Sequence, residues 1–192
     1  LTTGPIVVNN AGVLTANAST VLATSVTMTG GVSGTITVTT GAWTVSGNWN
    51  TSGVGSVYTQ GTGIVTFDAA TTITMLAADN TFDDLTISAA TSTLASAITV
   101  TLTLTVNTPA TLSAANFNIA ATTVNVDAAS GTLAMGTGDL LDVVTLNIDG
   151  SMTMDTITIS NMFMNRTAGT GNIDITVWTA WAAGSGPNVR WT

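Results

Sequence analysis

The chain has 192 residues, of which only 6% are charged, against roughly 25% in ordinary globular proteins. Two arginines and ten aspartates leave a net charge of −8, with no lysine, glutamate, histidine or cysteine. That composition argues against the basic footprint of a nucleic-acid binder and a polybasic membrane anchor, and it removes the residues of Ser-His-Asp, Cys-His and zinc chemistry.

Disorder and membrane insertion are set aside on pattern. Val, Ile, Leu and Thr alternate throughout, unlike the composition of disordered chains. Threonine breaks every apolar run well short of a membrane-spanning helix. A transmembrane β-barrel would need aromatic girdles and strands of about ten residues, whereas one tyrosine and four phenylalanines are present. A Thr-, Ser-, Ala-, Gly- and Asn-rich chain that starts at Leu1 fits an exported protein freed of its leader, so an extracellular or cell-surface location is expected.

In chain order, Ile6-Val7-Val8 and Val13-Leu14-Thr15 are divided by the turn signal Asn9-Asn10-Ala11-Gly12. Val26-Thr27-Met28, Ile36-Thr37-Val38 and Trp43-Thr44-Val45 continue the alternation, separated by Gly30-Gly31 and Gly41, glycines that permit positive φ at corners. From Ser46 to Gly63 the pattern loosens around Trp49 and Tyr58, so residues 46–63 are expected to form an irregular loop. Ile64-Val65-Thr66-Phe67 and Ile73-Thr74-Met75 restore the strands. No segment has helical periodicity.

Between Phe82 and Ile159 one pattern returns at roughly twenty residues, in three series. The first is Leu85-Thr86-Ile87, Leu104-Thr105-Val106, Val124-Asn125-Val126 and Leu146-Asn147-Ile148. The second is Thr93-Leu94-Ala95, Thr111-Leu112-Ser113, Thr132-Leu133-Ala134 and Ser151-Met152-Thr153. The third is Ile98-Thr99-Val100, Phe117-Asn118-Ile119, Leu140-Leu141-Asp142 and Ile157-Thr158-Ile159. Three apolar-polar-apolar strands per period predict an all-β fold, a three-sided parallel β-solenoid of about nine turns forming one domain over residues 1–192. An antiparallel β-sandwich is the alternative if the period is accidental. Stacked turns place like residues about 4.8 Å apart. Inward aliphatics then build apolar columns, outward threonines suit the strand, and lysine or glutamate ladders would repel.

The residue after the first series is Ser88, Asn107, Asp127 and Asp149, which stacks two carboxylates at a corner. Solvated turn residues are the simpler account and a calcium bridge the alternative. Asp79, Asp83 and Asp84 are crowded without EF-hand spacing and read as a turn. Met152, Met154, Met162 and Met164 take aliphatic positions, read as core filling rather than a thioether copper site. No catalytic pair emerges, since Asp83 and Asp84 are adjacent and point to opposite faces of a strand. The chain is therefore expected to be noncatalytic, without cofactor or metal. Sequons at Asn17, Asn50 and Asn165 are no more than a Ser/Thr-rich chain produces by chance.

Trp49-Asn50-Thr51-Ser52-Gly53, Gly61-Thr62-Gly63-Ile64-Val65-Thr66-Phe67 and Thr81-Phe82-Asp83-Asp84-Leu85-Thr86-Ile87 resemble repeat modules of large secreted surface proteins of bacteria and archaea. Those modules are similar to filamentous adhesins in being right-handed β-helices. The resemblance covers about residues 43 to 160 and implies a fibrous or adhesive extracellular role.

Solenoid ends expose strand edges that soluble proteins shield with a helix, a loop or charges. Neither residues 1–20 nor the Trp-rich tail, residues 178–192, supplies one. The expected function is a filament subunit that binds copies of itself head to tail. Ile6, Val7 and Val8 would lie at one junction, in one version as an exchanged strand, and Trp178, Trp181 and Trp191 at the other. The alternative is an adhesin stalk or a glycan-binding module for cell-surface glycans, with Trp43, Trp49 and Tyr58 flanking the groove.

Overall fold

The computed structural model describes residues 4–9, 11–28, 34–127, 130–136, 139–154, 156–164, 173–175 and 188–191, with side chains as far as Thr153. The described residues form strands and turns and no helix. In chain order the strands are β1 Pro5–Val8, β2 Val13–Thr15, β3 Val21–Ala23, β4 Ser25–Met28, β5 Thr35–Thr37, β6 Trp43–Val45, β7 Trp49–Thr51, β8 Val57–Thr59, β9 Ile64–Phe67, β10 Thr71–Met75 and β11 Thr81–Phe82. They continue as β12 Asp84–Ile87, β13 Thr91–Leu94, β14 Ile98–Val106, β15 Thr111–Ser113, β16 Ile119–Val126, β17 Thr132–Ala134, β18 Leu140–Ile148, β19 Ser151–Met154, β20 Thr156–Met164, β21 Ile173–Ile175 and β22 Asn188–Trp191.

All described pairings are parallel. Three sheets result. One runs β1-β4-β7-β10-β13-β15-β17-β19-β21, the second β3-β6-β9-β12-β14-β16-β18-β20-β22, and the third is the short β2-β5-β8. Successive strands of one sheet come from successive turns, so the chain coils as a β-solenoid of about seven turns. The expected nine is slightly more than these seven, which carry the chain from β1 to β19; β21 and β22 then add a ninth strand to each long sheet.

The first series of repeats lies as its spacing predicts. Leu85 pairs with Leu104, Leu104 with Val124 and Val124 with Leu146, all four fully buried. Burying an aliphatic side chain of this size stabilises by roughly 1.5–3 kcal/mol. Such columns join into one hydrophobic core that runs from Val8 to Met152. Outside the core, ladders of polar residues tie neighbouring turns together: the Asn147 amide donates to Asn125 Oδ1 at 2.7 Å, and Thr101 Oγ1 donates to Asp83 Oδ1 at 2.7 Å.

The other two series need shifts of register. In the second, Ser92, not Leu94, stacks on Leu112, and Leu94 stacks on Ile73. In the third, Ile98 pairs with Ile119 and Ile119 with Leu141, where Phe117 and Leu140 were expected. Phe117 instead packs against the core from the preceding corner.

The third and first series also share a strand. β14, β16 and β18 each carry both, with a register irregularity between Val100 and Thr103. In the early turns a corner divides the two faces: residues 16–20, 38–42 and 60–63, then Asp83 alone. As it shortens, two short strands become one long one. The expected loop over residues 46–63 is likewise two rungs, β7 and β8, joined through Gly55 at φ 76°.

Candidate assembly surface

At the N-terminal end β1, β2 and β3 stand last in their respective sheets. The inward residues there are less covered than their partners one turn further in. Ile6 and Leu14 are half-buried, whereas Val26 and Ile36, with which they pair, are fully buried. Ile6, Val8, Val13, Leu14, Ala16 and Val21 line a concavity of about 640 Å³ at this end. Val7, Val13 and Leu22 are 52%, 72% and 42% exposed. The first charged residue in the chain is Asp68. The terminal strands of three sheets thus surround an apolar hollow, without the charges that blunt edges in monomeric β proteins.

Of the residues expected at the junctions, Ile6, Val7 and Val8 belong to β1, which pairs along its whole length with Ser25–Met28 of its own chain. Trp191 lies in β22, the last strand of the second sheet. Trp178 and Trp181 fall outside the described residues, as do the side chains of Met154, Met162 and Met164.

The aromatic groove expected around Trp43, Trp49 and Tyr58 is overturned: all three are buried. Trp49 sits at the centre of a ring cluster, edge-on to Trp43, Tyr58 and Phe67 at centroid distances of 6.1, 5.4 and 6.1 Å, and 5.7 Å from Phe82. The cluster fills the core where small residues border the strands, which is why the sequence there looks loose. Burial, and then the negative charge of Asp83, push the Tyr58 phenol well above the ordinary tyrosine range.

The acidic residues serve the corners. Asp79 Oδ2 accepts from the Tyr58 amide at 3.4 Å, and Asp84 Oδ1 accepts from the Thr103 amide at 3.0 Å, each bond bridging adjacent turns. The corner column is also real: the amides of Ser88, Asn107, Asp127 and Asp149 donate to Phe67, Ile87, Val106 and Val126 one turn below. Asp127 and Asp149 share a concavity of about 280 Å³ with Asn125 and Asn147. Calcium usually takes six to eight oxygens, and no three metal-ligating side chains gather among the described residues. No helix there is long and apolar enough to cross a membrane.

Comparison of the chain with protein-family models, with curated proteins and with solved structures finds no match.

Proposed function

We propose that the chain is a structural subunit of an extracellular filament, joined to copies of itself head to tail through the ends of the solenoid. The observation that carries this reading is the N-terminal end, where the terminal strands of three sheets surround an uncharged apolar hollow. An apolar sheet end without charges is the kind of surface that takes on further copies. The absence of lysine and glutamate fits a surface protein, and no catalytic constellation is part of the reading. Stacking is favoured over strand exchange because β1 is already paired within its own chain. The glycan-binding alternative has no aromatic platform among the described side chains, since the large hydrophobics exposed there are all aliphatic.

Electron-microscope images of the purified chain test this, with a Val13→Lys variant alongside. Val13 is exposed on the edge strand β2, so the lysine should leave the fold intact and place a charge on the joining surface. Long uniform fibres are expected from the unmodified chain, and separate rods with an unchanged circular-dichroism spectrum from the variant. Separate rods from the unmodified chain at every concentration would overturn the proposal.

A further inference from the structure

From β13 to β19 the outward side of the first sheet carries hydroxyl residues in two columns. Thr91, Thr111, Thr132 and Ser151 pair in one, and Thr93, Ser113, Ala134 and Thr153 in the other, so that only Ala134 breaks the array. The four rungs follow one another in register, without the irregularity that interrupts β14 and β16. Between the columns Ser92, Leu112, Leu133 and Met152 are buried and hold the rungs on the core, while every outward residue is exposed or half-exposed. The hydroxyls on this face are unspent. Thr101 Oγ1 donates to Asp83 Oδ1 at 2.7 Å and Thr122 Oγ1 to the Thr101 carbonyl at 2.6 Å, but the side chains of Thr91, Thr93, Thr111, Ser113 and Thr132 have no such partner among the described residues. The face also carries no charge: all aspartates and arginines lie outside these rungs. The threonine column of the second sheet, Thr44, Thr66, Thr86 and Thr105, is by contrast a single file with Asp68 and Asp84 at its flanks.

We infer that this hydroxyl face of β13, β15, β17 and β19 binds the surface of ice. The inference goes beyond the filament reading and stands without it. Rungs lie about 4.8 Å apart and alternate residues along a strand about 6.6 Å apart, so the side chains form a regular net that repeats in two directions, as the water oxygens on a face of ice do. Each hydroxyl can both donate and accept, like a lattice water, and each threonine methyl restricts the orientation of the water around it. A charge would instead hold a hydration shell of its own, out of step with the lattice, and the face has none. The other occupants fit less well. A sugar polymer finds no exposed aromatic ring to stack on among the described side chains, and a second copy laid side by side brings a net charge of −8 against −8.

The test is to hold a single ice crystal in a solution of the purified chain and read the gap between its melting and freezing temperatures, together with the shape of the crystal. The unmodified chain should open such a gap and facet the crystal. Thr111→Lys, in the middle of the array, should abolish both effects with an unchanged circular-dichroism spectrum. Thr86→Lys, on the second sheet, should keep them. If Thr111→Lys does not fold, Thr132→Tyr places bulk on the same net and should have the same effect. No gap and no faceting from the unmodified chain, whether it forms fibres or separate rods, would overturn the inference. Ice activity that survives Thr111→Lys, or that Thr86→Lys removes as well, would overturn it too. Concentration-dependent association that Thr111→Lys abolishes, without any effect on ice, would make the face a contact between copies instead and sink the inference, whereas failure to form fibres alone would touch only the filament reading.

Discussion

Gly63 stands where two backbones nearly touch: a Cβ there would lie 2.2 Å from the carbonyl oxygen of Gly41 one turn below, and a Cβ on Gly41 would lie 2.0 Å from that of Ser19. Neither glycine has positive φ, and the described non-glycine residues that do include Ala11, Ala90 and Ala115. Glycine at these corners therefore serves close approach between turns rather than left-handed backbone, a distinction that chain composition does not carry. Gly63→Ala is expected to lower stability by about 1–3 kcal/mol, as overpacking does, measured by urea denaturation. Ala90→Gly, which removes a Cβ from a left-handed residue, should cost nothing or stabilise slightly.

Tyr58, the chain's one tyrosine, gives a second test at this scale. Its folded pKa lies above the unfolded value of about 10. The unfolded state therefore loses its proton first, and stability present below about pH 10 falls as pH rises beyond it. Tyrosinate absorbance should be absent from the folded chain at pH 10 and appear only with unfolding. A folded protein that titrates near 10 would contradict the burial of that ring.

Among the elements, legibility depended on whether a polar residue entered a column. The first series is apolar at both inward positions in every turn, so its register was plain from spacing. The second was displaced by two residues because Thr91-Ser92-Thr93-Leu94 contains two frames with the same alternation, and the buried Ser92 occupies the place that hydrophobicity assigns to Leu94. The third was misplaced where corners collapsed and two strands fused, a change in corner length that leaves apolar alternation untouched. The ring cluster was hidden for a related reason, since Trp49 and Tyr58 lie on three-residue strands bordered by Gly and Ser. The apolar hollow at the N-terminal end was not legible, since it required the third sheet to be seen.

Register has a measurable consequence. The Ser92 hydroxyl is fully buried and has no hydrogen-bond partner, and a group in that state costs roughly 1–3 kcal/mol. Ser92→Ala is thus expected to raise stability, and Leu104→Ala, in the middle of the first column, to lower it by about 2–5 kcal/mol. Thermal or urea unfolding of both variants checks the pair. A destabilised Ser92→Ala would return Ser92 to a solvated, hydrogen-bonded position.

For the whole molecule, charge is distributed along the coil in a way that bears on assembly. Residues 1–67 have none, and all ten aspartates lie between Asp68 and Asp174. A net charge of −8 opposes side-by-side packing of rods, since like charges within a Debye length of about 8 Å repel at physiological salt. The uncharged end carries no such opposition. Under the proposed function, growth along the axis would then be favoured over lateral aggregation.

The most direct measurement is the axial rise per subunit in fibres of the purified chain, obtained by cryo-electron microscopy. Nine strands along each long sheet at about 4.8 Å apiece give an expected rise of about 43 Å, with strands perpendicular to the fibre axis. A rise far from that value, or strands running along the axis, would contradict the account.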